Sequence, residues 1–413
     1  MSPLLWMISN TVTIYIRLAS TVLLTLTMLS IPGHCYSQNN SYELSEQART
    51  ELTTIQDLMQ RNELEQALAA LEKLRNAVRN RKYDLAVTYQ TLGYVYSTLN
   101  RYAEASQAFI NAIQSDALPA PITHEIQYTV AQLLISEAKY SDGMKYLTAW
   151  FRNEKNPPAE AHYLAATAYY FMGDFKQLIY QGRNALSKRQ DAPASWHEIL
   201  LAGYYETNDM NAAAELMETM LKKFPQNTQY WMQLASIYLS LRKTEQALAL
   251  MELAYIRGSL NRHEDLLQLA QTYLYMEMPY KAATLLSNEM ARNNVKKTKE
   301  TVKLLADSWF LARETDKGIS VLADAITTIK DTELFFRLGQ LYVESEDWDN
   351  AIKILTETTR QKDFKDIADA YLLLGIAALN GKDLQTSYVA LNNALKYETT
   401  REQATQWMEE LRN

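Results

Sequence analysis

The chain has 413 residues with a net charge of −7, and glycine (11) and proline (9) are both scarce. So few backbone breakers exclude a collagen-like, Pro/Gly-rich disordered or turn-dense all-β protein, and the acidic balance excludes a general nucleic-acid binder, which needs a basic surface against phosphate. A single cysteine removes disulfide scaffolds and Cys-based metal sites, while 47% hydrophobic residues are enough to bury a core.

From Ser2 to Ile31 the only charge is Arg17, followed by the apolar run LASTVLLTLTML from Leu18 to Leu29. That run is too short to cross a bilayer comfortably and fits the hydrophobic stretch of an export signal. Pro32-Gly33 breaks it, and Cys35-Tyr36-Ser37 offers small residues for cleavage after Ser37. Residues 1–37 are therefore expected to be a signal peptide that sends the chain to the periplasm. An uncleaved anchor holding it in the inner membrane, facing the periplasm, is the alternative and the only membrane attachment expected. Cleavage would remove the lone cysteine and, with Arg17, leave a net charge of −8. Residues 38–45 read as a polar linker.

Helical periodicity then runs to the end of the chain, and it repeats. Tyr89, Leu92, Gly93 and Tyr96 are followed by Ala105, Phe109 and Ala112. The same spacing returns as Trp231, Leu234, Ala235, Tyr238, Ala247, Met251 and Ala254, and again as Phe335, Leu338, Gly339, Tyr342, Ala351 and Leu355. The pattern resembles the tetratricopeptide repeat, in which about 34 residues form two antiparallel helices with W-x₂-L-G-x₂-Y on the first and A-x₃-F-x₂-A on the second. The small residue of the first helix falls at Ile55, Gly93, Ala131, Ala166, Leu201, Ala235, Ala270, Ala306, Gly339 and Gly375, with Ile55 and Leu201 poor matches. The resemblance implies an all-α, right-handed superhelix (an α-solenoid) of about ten hairpins over residues 46–398. A C-terminal cap helix over 399–413 would shield the last apolar face. Position 20 of the fourth unit is Leu178 where other units carry a small residue, and Pro279 falls in the turn of the seventh.

No catalytic constellation stands out. The histidines at 34, 124, 162, 197 and 263 are scattered, His197-Glu198 lacks the following histidine of a zincin, and Gly381-Lys382-Asp383 reads as an inter-helix turn, not a phosphate loop. The expectation is a non-enzymatic chain without cofactor or metal. The basic run Val295-Lys296-Lys297-Thr298-Lys299 reads as a solvated loop between units, with an anionic surface as its other reading.

Of 43 aromatic residues 27 are tyrosine, and the repeat suggests where they face. In the superhelix that the resemblance implies, first helices line the inner groove through positions one, four and five after the small residue and three before it. These positions hold Tyr94, Tyr128, Tyr163, Tyr170, Tyr205, Tyr275, Phe310 and Phe336, with Met232, Leu239 and Leu379. Interleaved are Glu125, Glu160, Glu198, Glu206, Glu264, Glu333 and Glu344, with Gln132, Gln271, Gln340 and one cation, Lys303. Tyrosine offers an apolar face with a hydroxyl that stays hydrated, so such a groove suits a polypeptide with apolar or proline anchors and positive charge. The Lys/Asn clamp with which some tetratricopeptide proteins hold an acidic C-terminus is missing.

The segment from Pro121 to Pro158, reading HEIQYTVAQLLISEAKYSDGMKYLTAWF and carrying Gln127, Tyr128, Ala131, Gln132, Leu133, Tyr140 and Trp150, is similar to exported tetratricopeptide proteins that accompany TonB-type energy-transducing systems in Gram-negative bacteria. That resemblance implies an accessory to TonB-driven outer-membrane uptake, with a proline- and lysine-rich TonB periplasmic segment in the groove. A scaffold for envelope assembly or export, or a groove for peptidoglycan or another glycan, is the alternative expectation.

Overall fold

In a computed structural model of the chain, residues 42–361 and 364–412 are described. The expected signal peptide and the start of the linker lie outside them. No helix among the described residues is long and apolar enough to cross a membrane.

All regular elements among the described residues are helices, and they form two compact units that meet in sequence at Phe224/Pro225. The first contains five antiparallel hairpins: α1 (Glu46–Gln60) with α2 (Leu64–Ala77), α3 (Lys82–Thr98) with α4 (Tyr102–Gln114), α5 (Ala120–Ser136) with α6 (Tyr140–Asn153), α7 (Ala159–Met172) with α8 (Phe175–Lys188), and α9 (Ala194–Glu206) with α10 (Met210–Lys223). The second contains five more: α11 (Gln229–Ser240) with α12 (Thr244–Ile256), α13 (His263–Tyr275) with α14 (Pro279–Ala291), α15 (Lys299–Leu311) with α16 (Thr315–Thr328), α17 (Thr332–Glu344) with α18 (Trp348–Thr359), and α19 (Ile367–Asn380) with α20 (Leu384–Ala394). Helix α21 (Arg401–Arg412) follows and lies on α19 and α20, burying Ala404 and Met408.

The ten positions chosen from sequence for the small residue are all buried, and the reason is close packing. A Cβ on Gly93 would come within 2.6 Å of the Phe109 ring, and one on Gly339 within 2.5 Å of Leu355. The large partner stands sixteen residues after the small one. The fourth hairpin inverts this arrangement. Its position sixteen is Gly182, and the bulk sits four residues earlier at Leu178, whose Cδ2 would lie 2.5 Å from a Cβ on Gly203 of the next hairpin. The Leu178 anomaly in sequence is thus a swap of large and small across the two sites, which conserves packed volume.

Every hairpin turns the same way. Seven residues after each small position the backbone is left-handed, at Asn62, Asn100, Ala138, Gly173, Asn208, Arg242, Glu277, Arg313, Glu346 and Lys382, with φ between 57° and 74°. The next residue's N–H then reaches back five residues to a carbonyl, as from Arg101 to Tyr96 and from Asp383 to Ala378 (both 2.8 Å). This closure satisfies carbonyls left open at the helix end. Asp174, Asp209, Asp347 and Asp383 then cap the second helix through their carboxylates. In the last hairpin the left-handed residue is Lys382; Gly381 keeps an ordinary φ of −77°. Pro279 sits in the first turn of α14, where its missing N–H leaves no hydrogen bond unmade.

Candidate partner-binding faces

Within each unit, first helices of successive hairpins touch one another: α5 touches α7 and α7 touches α9 in the first unit, and α15 touches α17 and α17 touches α19 in the second. The expected site positions lie on these helices, and the two units use them differently.

In the first unit the tyrosines form a ladder with glutamates one hairpin further on. The Tyr94 hydroxyl is pushed up in pKa by burial and then by Glu125. Tyr128 is pushed up to about 12 by burial and then by Glu160, with Gln132 pulling against them through a hydrogen bond. Tyr163 is raised by burial, with a smaller contribution from Glu198, and Tyr170 by burial and Glu206. Burial alone takes Tyr205 to about 12. In each of the four pairs the carboxylate is on the following first helix, so phenol and carboxylate alternate along the unit.

These five rings are half-buried, not freely presented, and four of them lie against another aromatic group. Tyr94 meets Phe109 edge-on at 5.1 Å, Tyr170 meets Phe171 edge-on at 5.2 Å, and Tyr128 and Tyr163 stack on Trp150 and Trp196, both at 4.6 Å. His124 also stacks on Trp150, at 5.5 Å, and its Nε2 lies 3.3 Å from Glu154. The tryptophans are the part that single-helix reasoning missed. Trp150 comes from a second helix and Trp196 from the first turn of α9, so neither occupies an expected groove position. A cation was missed as well. Arg189, from the connection between α8 and α9, lies over Trp196 at 5.3 Å and donates to Glu160 at 2.8 Å. Glu198 is half-buried and Glu206 exposed.

In the second unit the corresponding positions are occupied by ion pairs. Lys299 and Lys303 bracket Glu333 at 2.6 and 2.5 Å, and these two hydrogen bonds hold its carboxyl down at about 2. Arg337 donates to Asp307 at 2.6 Å and covers the Phe310 ring at 5.4 Å. Lys303 is therefore not alone: Lys299 and Arg337 join it. Phe336 is buried. It is only 7% exposed and packs edge-on against Phe364 at 5.3 Å, and Met232 and Leu372 at the equivalent position are buried too. The position three before the small residue is buried at Met232, Phe336 and Leu372 but not at Lys303, whereas the position five after it points outward: Tyr275 is 76% exposed and Leu311 60%. The basic run is tied down at several points, with Val295 buried, Lys297 paired with Asp324 and Thr298 capping α15. Among the described residues no group of three His, Cys, Asp or Glu is placed to hold a metal ion.

Residues 203–261 and 336–400 match a tetratricopeptide repeat model, and residues 86–117 match a second one. No curated relative matches the sequence. Among solved structures, YrrB, a TPR protein with an unusual peptide-binding site, is 17% identical, covering 48% of this chain and 100% of its own at a TM-score of 0.39. A tetratricopeptide repeat protein from Parabacteroides merdae is 12% identical over 64% of this chain and 99% of its own, at 0.35. The C-terminal part of a TPR repeat-containing protein from Cytophaga hutchinsonii is 14% identical over 68% and 98%, at 0.39. The matched segments and the hairpin geometry lead to one statement about kinship: the chain carries tetratricopeptide repeats in both of its units, a fold of protein–protein interaction scaffolds.

Proposed function

We propose that the protein is a non-enzymatic scaffold in the periplasm, and that the tyrosine–glutamate face of its first unit receives an extended, cationic polypeptide segment. The observation that carries this reading is the ladder itself, in which half-buried Tyr94, Tyr128, Tyr163 and Tyr170 each lie within the electrostatic reach of a carboxylate on the next hairpin. A lysine or arginine placed between a phenol and a carboxylate gains cation–π and ionic attraction, about 0.5–1 kcal/mol for each exposed contact. Repetition along the unit turns weak contacts into useful affinity. Arg189 on Trp196 and Glu160 is an internal example of the same chemistry.

The finer reading names the partner as the proline- and lysine-rich periplasmic segment of a TonB-type transducer, so that the protein assists energised outer-membrane uptake. It rests on the export-signal character of residues 1–37 and on the likeness of residues 121–158 to the proteins that accompany such systems. Titration of the full mature chain with a TonB periplasmic segment tests it. Binding that weakens as salt is raised is expected; no binding at low salt removes the reading. Cell fractionation tests the location.

A further inference from the structure

Helix α20, in the last hairpin of the second unit, leaves an apolar strip in solvent. Leu384 is 57% exposed, Tyr388 51% and Val389 54%, and the spacing of four and five residues sets them on one side of the helix. Two of the three occupy stacking positions. Leu384 and Tyr388 lie nine and thirteen residues after the small residue Gly375, and the equivalent side chains are half-buried or buried in each of the four earlier hairpins of the unit. Trp348 and Ile352 show what covers them. The end of the next first helix seats on both, so that a Cβ on Gly381 would come within 3.1 Å of either side chain. In the last hairpin that place is only partly filled: α21 packs Ala404 and Met408 on Leu372, Leu391 and Ala394 and leaves Leu384 and Tyr388 open. The strip also lacks charge. Among the described residues α20 is the only second helix without Asp, Glu, Lys or Arg, on a chain of net charge −7. Its exposed polar neighbours are the amides of Gln385 and Asn392, and the exposed charges of Lys382 and Lys396 lie beyond its two ends.

We infer that α20 is a self-association face, on which a second copy of the chain docks about a two-fold axis. Such an axis sets a patch against itself, so the patch must be complementary to its own kind. This one is. Apolar side chains meet apolar side chains, and a primary amide, which donates and accepts at once, pairs with another amide. Two acidic chains approach there without opposing carboxylates, whereas a strongly charged partner finds no counter-charge on the helix. Three large side chains make a contact smaller than the roughly 800 Å² per partner of a stable complex, so the dimer is reversible and forms in the micromolar range. None of these residues belongs to the face proposed to receive a cationic segment.

The test is sedimentation velocity on the full mature chain, from low to several hundred micromolar, with flotation on phosphatidylcholine–phosphatidylglycerol vesicles in parallel. The sedimentation coefficient is expected to rise with concentration toward that of a dimer and to be unmoved by a tenfold rise in salt. Tyr388→Glu combined with Val389→Glu sets like charges against each other and should weaken association about tenfold or more. Leu384→Gln, a milder change at an exposed site, should weaken it about threefold. Ile256→Glu, at the most exposed large apolar side chain of the unit, should leave it as in the wild type. Circular dichroism melting checks that each variant is folded. A wild-type chain that stays monomeric throughout overturns the inference, and flotation of that monomer would reassign the strip to a membrane surface. A dimer that persists undiminished in both α20 variants, or one that salt dissociates, overturns it equally.

Discussion

The two units carry the same net charge and arrange it in opposite ways. Residues 42–224 hold 22 acidic and 18 basic side chains and residues 225–413 hold 26 and 22, so each totals −4. In the first unit the first helices set phenols against carboxylates, and one arginine reaches in from a connection. In the second, Glu333 and Asp307 are already met by Lys299, Lys303 and Arg337. A carboxylate with its own lysine has little left to offer a ligand, and separating the pair has to be offset by the new contact. Net charge alone would rank the units as equal binders of a cationic chain; the placement of the charges separates them.

The largest effect that bears on this contrast is structural. Trp196→Ala removes a buried ring from under Tyr163 and should destabilise the first unit by about 3–5 kcal/mol, seen as an earlier urea transition in circular dichroism. Tyr275→Ala, at an exposed site in the second unit, should change stability by less than about 0.5 kcal/mol. Equal effects would mean that the tyrosine platform is surface decoration. Next in size is binding: Glu160→Gln, Glu198→Gln and Glu206→Gln combined should weaken a lysine-rich peptide about tenfold or more, at about 0.5–1 kcal/mol each, while Glu333→Gln should leave calorimetric affinity unchanged. A strong loss from Glu333→Gln would erase the distinction between the units.

Acid provides a third, smaller contrast. Glu333 is held at about 2, below the ordinary glutamate value, so its ion pairs stabilise the second unit fully above the ordinary range. That contribution fades as pH falls from about 4 toward 2. Glu333→Gln should therefore flatten the acid limb of the stability profile over that window and lower stability across the neutral region by that whole contribution, so that the two profiles converge near pH 2. The smallest effect is expected for Arg189→Gln. Releasing Glu160 and the Trp196 face should tighten a lysine-rich peptide about twofold, measured by anisotropy at low salt.

The phase of the fold was fully legible in the sequence. The small positions, spaced 33–38 residues apart, are all buried, and each left-handed turn follows seven residues later, even where Ile55 and Leu201 match the repeat poorly. A repeat enforces this because every hairpin packs against its neighbours in the same register. Exposure was legible only in part. Treating the position three before the small residue as solvent-facing holds only partly for Tyr128 and Tyr163 and fails for Phe336, Met232 and Leu372. How deeply that position sinks depends on the neighbouring hairpin, as when Phe364 covers Phe336, and helical periodicity within one segment cannot report it. Trp150 and Arg189 escaped for the same reason: they reach the first helices from other elements.

The uniform turn also bears on how such a chain can change length. Ten clasps share one backbone conformation, yet only one uses glycine and three use asparagine, while Ala138, Arg242, Glu277, Arg313, Glu346 and Lys382 adopt it against their intrinsic preference. A gene spliced from one clasp to the equivalent point of the next, such as Asn100 to Ala138, would rejoin matching geometry and drop one whole period. Duplication would add one. Growth by entire modules is thus open to this architecture, whereas an insertion of a few residues inside a helix would break its register.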